Sequence, residues 1–179
     1  YITKNIVKSI NLFLLLTISM PTVLYQGICY NNWNNHIIYL CGFFYSSNDI
    51  AALTYIPNLP INTRNHHITT TVLSIININI DYKQSLLAKM LLCYTLFSSF
   101  AYPVNTFLAV RHLYNKNELI IVKKITRNIY AISLALNWTF HLFAIFNNFY
   151  LLGISHYLYF CCLFWIIKDD IILMKWLCN

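Results

Sequence analysis

A pair of adjacent histidines provides side chains that could move protons in this chain. His66 and His67 lie in the stretch INTRNHHITTT, which opens an apolar run. An imidazole titrates near neutral pH, so it can act as a general base, a hydrogen-bond donor or a metal ligand. Adjacent residues of a helix point about 100° apart, so the pair cannot hold one ion as readily as histidines four residues apart. Taken alone, the dipeptide favours a polar cap ahead of a short helix.

Asp49 is an acidic residue inside an apolar run, FFYSSNDIAAL. A carboxylate in hydrocarbon is costly unless it is paired, hydrated or protonated, so an acidic residue in a membrane segment is functional by default. The breaker PNLP begins at Pro57, about two helical turns further on. At this distance from the helix end, Asp49 lies too deep to be hydrated by water at the membrane surface. We therefore predict an interior role for Asp49.

Two further polar groups interrupt apolar sequence. His141 stands mid-way along NWTFHLFAI, with Asn137 one turn earlier. A lone histidine at such depth hydrogen-bonds a neighbouring helix or lines a polar cavity, and both interpretations stay open. Asp169 and Asp170 follow Lys168 at the end of another apolar run, where an exposed, ion-paired helix cap is expected.

The composition determines the solvent in which these groups must lie. The 179 residues are 59% hydrophobic and only 9% charged. Soluble domains carry about 25% charged residues, so a water-soluble surface cannot be built from this composition. We therefore predict an integral membrane protein.

A membrane-spanning helix needs about 20 mostly apolar residues. Pro21 stands where a cleaved signal peptide would need a small residue, so the first apolar segment is predicted to span the membrane. The third segment is short and contains Asn77 and Asn79. We predict a single all-α, polytopic membrane domain over residues 1–179, with about six transmembrane helices. The predicted segments are 6–25, 36–56, 68–80, 85–100, 129–149 and 151–167.

Basic residues divide unequally between the two faces of this layout. Lysine and arginine are enriched in the short loops that stay cytosolic, so both termini are predicted to be cytosolic. The net charge of +7 thus reports topology rather than nucleic-acid binding. One face carries ten basic residues and the other two, Lys83 and Lys89. The ten are Lys4, Lys8, Arg64, Arg111, Lys116, Lys123, Lys124, Arg127, Lys168 and Lys175.

Neither a metal nor a cofactor is predicted. The six cysteines form no CxxC pair, and most lie in or beside apolar runs, where a free cysteine behaves as a small hydrophobe. The sequence contains no GxxxxGK[ST], GxGxxG, HExxH or GxSxG motif.

Five stretches, taken in order, resemble a known family. CGFFYSSND leads to NHH at the start of the next helix, and NTFLAVRHL, NWTFHL and KDDIILMKW follow. This order resembles the TLC domain, shared by translocating-chain-associating membrane proteins, ceramide synthases and related lipid-homeostasis proteins. The resemblance covers about residues 42–176 and is nearest to the TLC-domain transmembrane proteins that are not ceramide synthases. The matching positions are Asp49, His66, His67, Phe107, Arg111, Asp170 and Trp176.

The resemblance implies a ring of helices around a polar, lipid-accessible cavity into which the histidine pair faces. It thus favours a functional pair over a helix cap. The chain departs from the family at Tyr102, where a Glu is frequent, and at His141, where an Arg is common. It also lacks the second acidic cluster of the ceramide synthases. The implied cavity residues are Asp49, His66, His67, Asn77, Arg111, His141 and Asp170.

Three functions follow as hypotheses. The first is sensing, transport or control of membrane lipids at the endoplasmic reticulum or a related endomembrane, with membrane lipids as partners and an intramembrane line of Asp49, His67, Asn77 and His141. The second is an N-acyltransferase that uses acyl-CoA and a sphingoid base, with His66 or His67 as the catalytic base; the missing acidic cluster disfavours it, because a base without orienting partners is poorly tuned. The third is a structural subunit of an organellar membrane complex. Such subunits typically have the amino-acid composition of an AT-rich coding sequence, which is rich in Asn and Tyr.

One geometric prediction links the carboxylate to the pair. The second and third helices should be antiparallel neighbours, because a short loop joins them. Asp49 can then meet His66 or His67 only if the third helix begins before Arg64 and includes INTRNHH.

Overall fold

The computed structural model describes residues 2–78, 80–115 and 117–179, and these residues form helices, turns and loops without a strand. Asn79 and Lys116, which entered the predictions above, lie outside the described residues. A short 3-10 turn, Phe149–Leu151, precedes the last helix. The helices are α1 (Ile2–Tyr30), α2 (Asn35–Tyr55), α3 (Ile61–Asn77), α4 (Leu86–Val110), α5 (Ile120–Asn147) and α6 (Ile154–Cys178).

Three helices, α1, α4 and α5, are long and apolar enough to cross a membrane. The others are shorter or more polar: α3 has 17 residues, and α6 carries Lys168, Asp169 and Asp170 near its middle. The predicted all-helical class is confirmed, and so are helices suited to a membrane. The crossing of all six helices remains a prediction.

Two helices reach further than their apolar runs. α3 begins at Ile61, directly after Pro60, so INTRNHH is helical as the predicted contact required. α6 continues to Cys178, well past the predicted end at residue 167. The expectation that Asp169 and Asp170 cap a helix end is therefore wrong, because helix-forming residues on both sides carry α6 through them.

Two prolines lie inside long helices and are accommodated differently. Pro21 has no N–H to bond the turn before it, and α1 widens there into a π-helical segment, Leu15–Ser19. α4 turns at Phe100 and then resumes with Pro103 in the first turn of the new segment, where a missing N–H costs little. The fourth predicted segment thus extends from residue 100 to Val110.

The six helices form a closed ring. The order around it is α1, α2, α3, α6, α5, α4 and back to α1. Paired contacts show antiparallel neighbours: Ser133 bonds Phe97 while Thr126 bonds Pro103, and Tyr130 bonds Asp170 while His141 bonds Tyr159. α1 closes the ring between α2 and α4, and the Ser9 hydroxyl donates to the Tyr102 carbonyl at 2.9 Å across the α1–α4 seam. A ring in this order leaves both described chain ends on one side.

Many large apolar side chains are exposed, while several polar side chains are buried beside the apolar core. Large apolar side chains face outward, among them Ile28, Phe143 and Phe146 at 71, 67 and 79% exposure. Buried positions include the amides of Asn5 and Asn137 at 3 and 2%. Because extensive apolar surface is rare on soluble monomers, this distribution suits a helix ring surrounded by lipid.

Candidate functional site

The carboxylate of Asp49, at 0% exposure, is the point where α1, α2 and α3 meet. Lys8 Nζ of α1 lies 2.5 Å from Asp49 Oδ1, and His67 Nδ1 of α3 lies 3.0 Å from the same oxygen. The Thr70 hydroxyl donates to Oδ2 at 2.8 Å. These contacts compensate the loss of hydration that burial imposes on the carboxylate. The predicted approach of Asp49 to one histidine of the pair is confirmed.

Lys8 is the member of this cluster that sequence reasoning missed, because it was counted only among the charges that orient the chain. Its side chain is 11% exposed. A signal was present: Asn5, Ser9 and Leu12 are the buried residues in the first segment of α1, and their spacing of four and three marks one helix face. Lys8 falls on that stripe, three residues after Asn5, and so points into the ring.

The two histidines face different carboxylates on different helices. His66 Nδ1 lies 3.2 Å from Oδ2 of Asp169 on α6, whereas His67 approaches Asp49 on α2. Neither Nδ1 is aligned for a hydrogen bond, so both contacts are electrostatic approaches. The other ring nitrogen of His67, Nε2, lies 3.2 Å from Lys4 Nζ. Each imidazole therefore has an acidic partner.

Asp170 is buried at 8% exposure and faces α5. The Tyr130 hydroxyl donates to Asp170 Oδ1 at 2.6 Å. Adjacent residues of a helix point about 100° apart, so Asp169 turns toward α3 while Asp170 turns toward α5. Asp169 and Asp170 thus connect α6 to both of its neighbours in the ring, α3 and α5.

The ion-pair partners of Asp49, together with Asp169 and Asp170, line a cavity of about 510 Å³ inside the ring, whereas Asp49 itself is not among the lining residues. This volume lies in the range of about 300–1,000 Å³ that is common for small-molecule sites. Apolar side chains such as Leu12, Val104 and Leu173 supply the rest of the wall. The ionisable and amide side chains that line it are Lys4, Asn5, Lys8, His66, His67, Asn105, Arg111, Asn137, Asp169 and Asp170.

Arg111 and Trp176 form one part of the cavity wall, where α4 and α6 end. The Arg111 guanidinium lies 4.8 Å from the centre of the Trp176 ring, close enough for a cation–π contact. Phe107 packs its ring 5.8 Å from the same tryptophan. Phe107 and Arg111, two positions of the resemblance, are thus in contact in space with a third, Trp176, that is distant in sequence.

Asn77 lies near the opposite end of α3 from the histidine pair. Its side-chain oxygen accepts a hydrogen bond from the hydroxyl of Tyr82, in the loop after α3. Burial raises the pKa of the Tyr82 phenol. Asn77 lines a small void of about 30 Å³ together with Thr70, which bonds Asp49, and it is not among the residues that line the larger cavity.

His141 joins α5 to α6 away from the cavity. Its Nδ1 lies 2.8 Å from the Asn137 carbonyl and its Nε2 lies 2.9 Å from the Tyr159 hydroxyl. A carbonyl only accepts, so Nδ1 carries the proton and Nε2 accepts from the tyrosine. The first interpretation, a histidine bonded to a neighbouring helix, is confirmed, and Asn137 is the cavity-lining residue of this turn.

Asp49, His66 and His67 also place their ligand-type atoms within 4.8 Å of one another. Lys8 already contacts the carboxylate, and Lys4 Nζ faces the Nε2 of His67. Positive charge at two of the three donors opposes a divalent cation. The arrangement suits proton transfer or the binding of a polar head group better than metal coordination.

No family model, curated protein or solved structure matches the chain.

Proposed function

We propose that this protein is a TLC-like membrane protein that holds a lipid in the cavity of its helix ring and acts in the sensing, transport or control of membrane lipids. The observation that carries the proposal is the cavity of about 510 Å³ with charged groups and apolar walls together. An amphiphile satisfies both kinds of wall, whereas a purely polar solute would leave the apolar side chains without a partner. An apolar outer surface is consistent with a ligand that comes from the membrane.

The proposal includes a six-span topology with both termini in the cytosol, at the endoplasmic reticulum or a related endomembrane. The closed ring supports an even number of crossings, because its neighbouring helices alternate in direction. In this orientation the loop between Tyr55 and Ile61 faces the cytosol. The ion pairs of His66 and His67 then lie near the cytosolic end of the cavity.

Lipid retention by a cavity-filling variant tests the proposal. Ala101 lines the cavity, whereas Ala135 is exposed on α5. We expect Ala101→Phe to lower the amount of lipid that co-purifies in mild detergent by about tenfold, equivalent to about 1.4 kcal/mol of binding. Ala135→Phe should retain as much lipid as the unmodified protein, as measured by mass spectrometry of extracted lipids. Equal retention by both variants would contradict the proposal.

A second candidate is an acyl-CoA-dependent N-acyltransferase, and the two histidine–carboxylate contacts favour it. The sequence lacks the acidic cluster that orients the base in ceramide synthases. In the structure, however, Asp49 lies 3.0 Å from His67 and Asp169 lies 3.2 Å from His66, and these carboxylates can orient the imidazoles. In this reaction the amine nitrogen of a sphingoid base attacks the thioester carbonyl. The histidine takes the amine proton, the C–S bond breaks, and the thiolate of CoA leaves and receives that proton.

Labelled acyl-CoA and a sphingoid base separate the two candidates. If the protein is an acyltransferase, it forms amide, and His67→Ala removes most of the product. His36 is exposed at the start of α2, so His36→Ala is the matched control and should keep full activity. Absence of amide from the unmodified protein, together with retained lipid, would leave binding as the function.

A further inference from the structure

A second, open cavity of about 680 Å³ lies between α5 and α6. Its walls are mainly apolar, with Leu134 and Trp138 on α5 and Ile171 and Met174 on α6. Lys175 stands beside them near the end of α6 and is exposed. We refer to this space as the α5–α6 groove.

The groove and the central cavity share two wall residues, Leu134 and Asp170. These two side chains therefore belong to the wall between the two spaces. Tyr130, which donates its hydroxyl to Asp170, lines the central cavity. The shared wall is thus an apolar side chain beside a hydrogen-bonded carboxylate.

The seam between α5 and α6 is joined by two long-range hydrogen bonds, Tyr130 to Asp170 and Tyr159 to His141. The α5 positions of these bonds are 11 residues apart, which corresponds to about 16 Å of helix. Leu134 lies in this interval and takes part in neither bond, so its side chain can rotate without breaking them.

We propose that the α5–α6 groove is a lateral portal through which an acyl chain of a membrane phospholipid enters the central cavity, with Leu134 as its gate. This inference rests on the proposed function, because it requires a lipid inside the ring. Apolar walls match the chain, and the exposed Lys175 ammonium matches the phosphate of the head group. The wall that the groove shares with the polar cavity distinguishes it from the remaining apolar surface.

Photo-crosslinking kinetics test the portal. The protein in detergent micelles is mixed with a phosphatidylcholine that carries a diazirine at the end of one chain. Samples are irradiated over time, and labelled peptides that line the cavity, such as the α4 segment with Ala101, are measured by mass spectrometry. We expect Leu134→Trp to slow interior labelling by about tenfold, which corresponds to about 1.4 kcal/mol in the barrier. Leu134→Ala should accelerate it.

Leu136 provides the matched control, because it lies on the same helix and is 51% exposed. Leu136→Trp and Leu136→Ala should label the interior at the rate of the unmodified protein. If Leu134→Trp does not fold, the acceleration in Leu134→Ala decides the question. Interior labelling at unchanged rates in both Leu134 variants would overturn the portal and leave the proposed function in place. Absence of interior labelling from the unmodified protein would overturn both.

Discussion

At the scale of single residues, Lys8 changes the role that His67 can take. Both groups lie against Asp49 Oδ1, at 2.5 and 3.0 Å, but only the lysine is charged at every pH of interest. The ammonium therefore neutralises the buried carboxylate without a protonated imidazole. His67 can stay neutral beside Asp49, and its Nε2 then accepts a hydrogen bond from the Lys4 ammonium.

The ion pair should produce strong coupling in a double-mutant cycle. We expect Asp49→Asn and Lys8→Met each to destabilise the protein by about 3–5 kcal/mol, because each leaves one buried charge without its counter-ion. The double variant should lose less than the sum, with a coupling of roughly 1–3 kcal/mol. Unfolding in detergent measures these values.

Lys83 is exposed in the loop between α3 and α4, so Lys83→Met should change stability little. A cycle with His67→Ala in place of Lys8→Met should show the same sign and a smaller coupling, because a neutral imidazole compensates less charge. Additive losses in the Lys8 cycle would contradict the assignment of Lys8 as the counter-ion.

The Tyr130–Asp170 hydrogen bond gives a second prediction at this scale. Tyr130→Phe removes the donor and leaves the buried carboxyl without it, so we expect a loss of about 1–3 kcal/mol in stability. Tyr157 is 56% exposed on α6, and Tyr157→Phe should therefore be nearly neutral. Equal melting temperatures for the two variants would show that the bond contributes nothing.

Local sequence predicts the Asp49–His67 contact because both residues lie near one short loop, and a short loop makes neighbours of the helices it joins. The Lys8–Asp49 contact also joins successive helices, but it was not predicted. Lys8 lies near the start of an apolar run, so it was interpreted only as a flanking charge that orients the chain. The expected helix cap at Asp169 and Asp170 was wrong because the apolar run ends at Ile167, although helix propensity continues beyond it; the cavity position that the resemblance implied for Asp170 agrees with the structure. Pairings such as His66 with Asp169 depend on ring closure, which no local pattern contains.

At the scale of elements, α2 and α3 approach closely at Gly42. A Cβ built on Gly42 would lie 2.5 Å from Asn77 Nδ2, so any larger residue must displace the amide that Tyr82 bonds. A Cβ at this position therefore fits between the two helices only if the Asn77 amide moves. This approach helps to hold α2 and α3 at the spacing that brings Asp49 to His67.

Gly42→Ala should destabilise the protein by about 1–3 kcal/mol, as expected for overpacking at a close contact. Gly153 precedes α6, and a Cβ there meets nothing within 4 Å. Gly153→Ala is therefore the matched control and should not lower stability. Thermal unfolding of both variants in detergent measures the difference, and a neutral Gly42→Ala would show that Asn77 shifts without cost.

At the scale of the whole molecule, the ring requires alternate helices to run in opposite directions. The six helices then leave the described ends of the chain on one side, and the excess of basic residues predicts that this side is cytosolic. The sequence predicted the number of helices because apolar run length is set by bilayer thickness. It could not predict their order around the ring, which depends on side-chain packing between distant segments.

Glycosylation acceptors test this topology. An acceptor in the loop between Tyr30 and Asn35 should be modified, because we expect that loop to face the lumen. An acceptor placed after Asn179 should stay unmodified in the cytosol. Gel mobility before and after removal of glycans measures both. Modification of the C-terminal acceptor but not of the loop would contradict the predicted orientation.

The lysine in α1 also has a consequence for biosynthesis. Lys8 and Asp49 are 41 residues apart, so at a synthesis rate of about 5–20 residues per second Asp49 is translated roughly 2–8 s after Lys8. The interval is longer for Ser9, because its acceptor Tyr102 lies 93 residues further along the chain. α1 therefore leaves the ribosome as an apolar helix with an unneutralised charge, and its stable insertion depends on a helix that has not yet been translated.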